Sequence, residues 1–244
     1  MAEIYEAEYA GHVVRFSFRN KGTKRYFRTY IRPSSSESYD VMAEESEIEE
    51  VRACENGRAP YAEYRCLIGR TAREILKYKC CIFHSASFLF RGKVFLVAGN
   101  SGVGKSTQYF NWQTLWPGEI TMISGDMPVL EKRDDGTIWV HPTSWNGKEN
   151  IGNNIVGQAA GIVLLEQGVE NIIDRLSVRD AVLPILEQFL VRPETEEQIH
   201  NLEEIADRLL RAVPVWKMVN TGDLKSTALL RETLAENVSR EKES

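Results

Sequence analysis

The chain changes its hydrophobic period several times, and the changes mark its expected elements. Over residues 1–33 apolar and polar side chains alternate in strand fashion. Val13–Phe18 and Tyr26–Ile31 are expected strands, with Asn20-Lys21-Gly22-Thr23 as the turn. Residues 34–47 break the alternation with Ser34-Ser35-Ser36-Glu37-Ser38 and Glu44-Glu45-Ser46, and read as a surface loop. The acidic run Glu44–Glu50 reads as a solvated face, with recognition of a basic partner as the alternative. From Tyr64 to Lys79 the spacing becomes helical: Leu67, Ile68, Ala72, Ile75 and Leu76 form one stripe, while Arg65, Arg70, Arg73, Lys77 and Lys79 mark the wet side. Cys81–Phe90 then alternates loosely as one strand, Arg91-Gly92-Lys93 turns, and Val94–Ala98 is a second, apolar strand.

Later segments follow the same logic. A helix is expected from Thr107 to Trp112, and an apolar strand over Ile120–Asp126 that ends on an acid. Met127–Leu130 and Thr137–His141 form a hairpin around Asp134-Asp135-Gly136. Residues 142–154 are polar and glycine-containing and read as a loop holding an exposed-type Trp145. Ala159–Leu165 is a strand, Ser177 caps a helix over Val178–Leu190, and Pro193-Glu194-Thr195 starts another over Glu196–Ala212. Val213–Met218 is a late strand, placed at a sheet edge because of Pro214. Leu224–Asn237 is the last helix. The expected organisation is a β-rich N-terminal subdomain (1–63), a core domain (64–238) and a frayed tail (239–244).

Composition narrows the class. The chain has 244 residues, enough for one core domain with a small appendage. Net charge is −5, which argues against a generally basic nucleic-acid surface. No apolar run approaches the ~18 residues of a membrane span, and Met1–Glu6 is acidic, unlike a signal peptide, so a cytoplasmic protein is expected. Cys54, Cys66, Cys80 and Cys81 lack zinc-finger or C-x-x-C spacing and read as ordinary reduced thiols.

The chemistry concentrates at Gly99-Asn100-Ser101-Gly102-Val103-Gly104-Lys105-Ser106, which fits G-x-x-x-x-G-K-[ST] between a strand and a helix. Glycines let backbone N–H groups converge on phosphate oxygens, and a helix beginning there points its positive end at the anion. Lys105 would reach the β- and γ-phosphates, and the Ser106 hydroxyl would ligate Mg²⁺. Asp126, at the end of a neighbouring strand, suits a Mg²⁺ ligand or a base; otherwise it is a turn residue. Lys148 is a candidate phosphate or acceptor clamp, or a solvated loop lysine; Glu149 and Asn153 are weaker candidates. Trp145 could stack on a base or pack within its loop. His141 reads as structural.

The order of these parts resembles the catalytic domain of the HPr kinase/phosphorylase family, and more closely its short relatives encoded near peptide-modification genes, including lasso-peptide serine kinases. The residues carrying the resemblance are His84 in Phe83-His84-Ser85-Ala86-Ser87, the phosphate loop, Asp126, Trp145-Asn146-Gly147-Lys148-Glu149, Gly152-Asn153-Asn154 and Val213-Pro214-Val215-Trp216. It covers about residues 64–236. It implies an α/β (α+β) fold related to phosphoenolpyruvate carboxykinase, with a P-loop core in a mixed, largely antiparallel sheet. It implies ATP and Mg²⁺ as cofactors, and phosphoryl transfer to a serine-type hydroxyl of a peptide, protein or small molecule. No nucleic acid or membrane is implied, and a homo-oligomer stays open. Carried over, Gly99 to Ser106, with Thr107 at its edge, hold phosphate; Asp126 is base or Mg²⁺ ligand; His84 assists proton or phosphate handling. Two positions depart from the family pattern: Thr107 stands where a glutamate usually follows the loop, and Gly125 where a second aspartate precedes Asp126. A non-catalytic nucleotide-binding accessory and a plain NTP hydrolase are therefore the alternatives to a kinase.

Overall fold

The structure is a computed structural model that describes residues 4–28, 30–55 and 57–241. In chain order its elements are β1 (Ile4–Tyr9), β2 (His12–Ser17), α1 (Lys24–Phe27), β3 (Arg32–Pro33), α2 (Glu45–Glu55), α3 (Ala59–Leu76), β4 (Cys80–Ile82), β5 (Ser85–Phe90) and β6 (Lys93–Ala98). Then come α4 (Lys105–Leu115), β7 (Ile120–Ser124), β8 (Val129–Lys132), β9 (Ile138–His141), β10 (Gly157–Gln167), β11 (Ile172–Arg175), α5 (Val178–Leu186), α6 (Glu196–Ala212), β12 (Val215–Asn220) and α7 (Leu224–Glu241).

Two sheets organise these elements. The small one has the order β2-β1-β3. The large one runs β4-β8-β9-β10-β6-β5-β7, and β12 joins it on β10 with β11 beyond. Only β6 and β12 run parallel to β10; the other pairings in this sheet are antiparallel, so it is mixed and mostly antiparallel. Its central strands are apolar without a polar face because both faces are covered. On β6, Val94, Leu96 and Ala98 enter one core with Ala181, Ile185, Ile205 and Leu209 of α5 and α6. Phe95 and Val97 enter the opposite core with Trp112 of α4 and Leu230 and Leu234 of α7. No helix among the described residues is long and apolar enough to cross a membrane.

The N-terminal part departs most from the sequence expectation. Its hairpin is β1–β2, turning at Ala10 (φ 50°) and Gly11 (φ 80°). Tyr26–Ile31 is not a strand: Lys24–Phe27 is a helical turn, and Thr29 lies outside the described residues. The reason is visible in Tyr64, whose ring lies 5.2 Å from Tyr26 and 5.4 Å from Phe27. Consecutive side chains meeting one ring is incompatible with the alternation of a strand. The acidic run is not merely solvated either. From Glu45 onward it is α2, anchored by buried Ile48, and Glu44 and Glu47 pair with Arg19 (3.0 Å) and Arg70 (2.9 Å).

Helix α3 starts earlier than the stripe suggested, with Pro60 in its first turn, where a missing N–H costs nothing. It crosses residues 63–64, and its buried Leu67, Ile68, Ala72 and Ile75 share one core with Tyr5, Phe16 and Phe27 of the small sheet and its connections. Glu63 is buried on it. Its carboxylate accepts from Arg19 N (2.5 Å), Asn20 N (2.9 Å), Asn20 Nδ2 (2.9 Å) and Thr23 Oγ1 (2.5 Å). Glu63→Ala strands those donors and is expected to cost about 3 kcal/mol in urea unfolding. A loss below about 1 kcal/mol would show that water replaces the carboxylate.

Three later expectations are corrected. β12 is interior, flanked by β10 and β11; Pro214 lies just before it and its carbonyl accepts Ile162 N (2.9 Å). Helix α5 stops at Leu186, and Phe189 beyond it packs on Phe83 at 5.3 Å. Helix α7 continues through Ser239 to Glu241, with Val238 buried; the rest of the expected frayed tail, Lys242–Ser244, lies outside the described residues. The four cysteines are free thiols, and burial pushes those of Cys80 and Cys81 up.

Candidate functional site

Strand β6 delivers the chain to Gly99, and α4 begins at Lys105, so the glycine loop is the whole connection. Gly99 (φ 135°), Gly102 (φ 88°) and Gly104 (φ 108°) all take backbone conformations that other residues rarely adopt. Gly99 is doubly constrained, because a Cβ there would lie 2.7 Å from the carbonyl oxygen of Leu165 on β10. The first hydrogen bond of α4 runs from Gln108 N to Gly104 O (2.9 Å). The amides of Lys105, Ser106 and Thr107 therefore precede the helical ladder and are open to an anion.

The helix is fixed from behind by a buried amide network that the sequence did not signal. Gln108 Nε2 donates to Asn220 Oδ1 (3.3 Å) and Ser226 Oγ (2.9 Å), and Gln108 Oε1 accepts from Thr227 Oγ1 (2.7 Å). Asn220 in turn donates to the Glu166 carbonyl (2.9 Å). These partners lie far apart in the chain, so no local pattern could have found them.

His84 and Asp126 reach the loop through a shared break in two antiparallel strands. The segment Cys80–Phe90 runs against Ile120–Lys132, β4 on β8 and β5 on β7. The expected single strand over 81–90 is interrupted at Phe83-His84, where Phe83 N donates to Pro128 O (3.0 Å) and Ser85 N to Asp126 O (2.9 Å). The partner is interrupted at the same level, since β7 ends at Ser124 rather than at Asp126. His84 Nε2 thereby lies 3.4 Å from Asp126 Oδ1 and 3.3 Å from Lys105 Nζ. Lys105 Nζ also donates to Gly99 O (2.7 Å) and Asn100 O (3.4 Å). Burial pulls the Lys105 ammonium below its ordinary pKa, and the charge of Asp126 opposes that pull.

The 142–154 loop closes over this carboxylate. Trp145 is not exposed: its ring stacks on Tyr9 at 5.4 Å, and it is nearly fully buried. Asn146 Oδ1 accepts from Gly125 N (3.4 Å), and a side chain at Gly147 would lie 3.2 Å from Asp126 Cβ. Asn153 serves the fold, with Nδ2 donating to Met122 O (2.9 Å). Lys148 and Glu149 are exposed and make no hydrogen bond or ion pair among the described residues. Ser106 is half-buried in the first turn of α4, Thr107 is exposed, and His141 Nε2 lies 2.9 Å from Glu131 Oε2, away from the loop.

Gly125 now has a physical reason. A Cβ there would lie 2.8 Å from Asn146 O and 3.0 Å from Ile151 O, both backbone atoms. Gly125→Asp is expected to destabilise the chain by about 3 kcal/mol in urea unfolding. Wild-type stability would mean that the loop moves aside freely.

No protein-family model and no curated protein matches the chain. Among solved structures it is similar to the Hpr(Ser) kinase/phosphatase from Coxiella burnetii at 12% sequence identity, over 67% of this chain and 99% of that one, with a TM-score of 0.38. At that identity and score the superposition assigns no role to any residue.

Proposed function

We propose that the chain is an ATP-dependent kinase that phosphorylates a serine-type hydroxyl. The observation that carries this is the line Lys105–His84–Asp126, with contacts of 3.3 and 3.4 Å, at the head of a glycine loop and helix N-terminus. The loop amides and Lys105 would bind and orient the triphosphate. Asp126, directly or through His84, would take the acceptor's proton. The acceptor oxygen would bond to the γ-phosphorus as the bond from that phosphorus to the β–γ bridging oxygen breaks, leaving a nucleoside diphosphate and a proton on the base. Ser106 and Asp126 are hard oxygen donors at the loop, the type Mg²⁺ takes alongside water and phosphate, and the glycine cradle leaves the space Cβ atoms would fill. When bound, that ion would neutralise charge on the β- and γ-phosphate oxygens.

The test is mass spectrometry of serine-bearing peptides, proteins and small molecules after incubation with the protein and Mg²⁺-ATP, with GTP in parallel. Phosphate added to an acceptor is the expected result. A second reading, a nucleotide-binding accessory protein, is favoured by Gly125, where backbone carbonyls fill the place of a second carboxylate. Tight ATP binding with no consumption in the presence of every acceptor would select that reading.

A further inference from the structure

Between Glu8 and Glu37 the chain carries seven Lys or Arg and no acid, inside a protein of net charge −5. Three of the seven are matched: Arg15 by Asp40, Arg19 by Glu44 and Arg32 by Glu6. The other four, Lys21, Lys24, Arg25 and Arg28, are exposed on α1 and just before and after it, and have no carboxylate partner among the described residues. Two of them, Lys24 and Arg25, meet aromatic side chains instead. Lys24 Nζ donates to Tyr5 OH (3.1 Å), and Arg25 lies 4.8 Å over the ring of Tyr26. Tyr26 stacks on Tyr64, which makes a cationic, aromatic face of the kind that binds partners.

This face borders a cavity of about 590 Å³. Phe27, Arg28 and Tyr30 line it together with Thr143, Asn146 and Asn153 of the covering loop. Gly147, next to Asn146, is the residue that lies against Asp126. The cavity and the carboxylate thus share one loop as a wall. Burial holds the Tyr64 hydroxyl above its ordinary pKa, and the charges of Arg28 and Asp126 act on it in opposite senses. Arg28 holds a positive φ of 55° at the cavity mouth, a conformation non-glycine residues keep only when their surroundings enforce it.

We propose that the basic face of α1 and this cavity dock an acidic peptide segment, with carboxylates against Lys21–Arg28 and the chain continuing through the cavity past the Asn146–Gly147 wall, which brings its acceptor serine to Asp126. The docking stands on the charge pattern and the cavity, while the role of the serine rests on the kinase reading above. Glu8, whose carbonyl accepts from Tyr30 OH (2.7 Å), and Glu6, paired with Arg32, line the cavity as well. The acidic part of the segment is therefore placed on α1 and its neutral or basic part in the cavity, which disfavours a nucleic-acid strand, whose backbone is anionic throughout.

Fluorescence anisotropy with the full chain, without nucleotide, tests the docking. The probes are a labelled peptide of alternating Glu and Gly around one Ser, its Lys counterpart, and a single-stranded oligonucleotide. The Glu peptide is expected to bind, more weakly as salt is raised. Arg25→Glu with Arg28→Glu is expected to weaken it about tenfold, and Lys21→Glu with Lys24→Glu similarly. The proposal is overturned if the Lys peptide binds equally well, if only the oligonucleotide binds, or if both charge-reversed variants unfold at the wild-type temperature and keep wild-type affinity. Failure of the kinase reading looks different. Then the Glu peptide binds, binding survives Lys105→Ala, and no phosphate is transferred. If instead a neutral acceptor is phosphorylated while the Glu peptide fails to bind, the docking falls and the kinase reading stands.

Discussion

Lys105→Ala is expected to reduce phosphoryl transfer at least about a thousandfold and to weaken ATP binding by ten- to a hundredfold. Among the described residues the ammonium is the one cation in contact with the loop's own carbonyls, at 2.7 Å from Gly99 O and 3.4 Å from Asn100 O. In the nucleotide complex it would exchange these for phosphate oxygens. Charge-assisted hydrogen bonds of that kind contribute about 1.5–3 kcal/mol each to binding. They contribute more in the transition state, where preorganised charge meets developing charge in a partly dehydrated site. The fold should survive, since α4 is held by Gln108 and its partners on β12 and α7 rather than by Lys105. Thermal unfolding separates loss of chemistry from loss of structure. Calorimetric titration with ATP gives the affinity, and single-turnover transfer gives the rate. Unchanged transfer in a folded variant would falsify the phosphate-loop assignment.

Much of this site was legible because its signals are local. The glycine positions, the lysine at the helix start and the apolar strand before them are consequences of backbone geometry that neighbouring residues alone impose. The existence of β6 and β10 was legible for the same reason, as short apolar runs, and covered faces on both sides explain their lack of a polar face. What stayed hidden depends on distant partners. Tyr26-Phe27 has the composition of a strand, and only the Tyr64 ring makes it a helical turn. Trp145 has the setting of an exposed loop residue, and Tyr9, from the other end of the chain, buries it. Pro214 correctly marked a place that cannot donate to a ladder, but that place is the residue before β12 and not the strand itself. Gly125 shows the reverse case. From sequence it was a missing carboxylate, while in the fold it is the space that lets the 146–151 backbone close on the strand end.

Asp126→Asn is expected to lower transfer about a hundred- to ten-thousandfold while leaving ATP binding nearly intact. The asparagine keeps the shape, so the Ser85 N bond to the backbone carbonyl (2.9 Å) and the packing against Gly147 remain. It removes the proposed proton acceptor and one negative charge. Two effects on nucleotide affinity then oppose each other. Losing a carboxylate near the phosphates relieves repulsion. Losing it also removes the charge that supports the Lys105 ammonium against burial. The second effect has a sign that can be read in a pH profile. Asp126 raises the lysine's pKa, so its removal lets that pKa fall further, and the alkaline loss of ATP affinity should begin at lower pH in the variant than in the wild type. His84 supplies the companion measurement. If the proton travels through the imidazole, His84→Gln loses as much transfer as Asp126→Asn, and the double variant loses little more, as expected for groups acting as one unit. If Asp126 meets the hydroxyl directly, the two losses are unequal and combine. A fully active Asp126→Asn variant would remove the carboxylate from the mechanism and leave the accessory reading as the better account of Gly125.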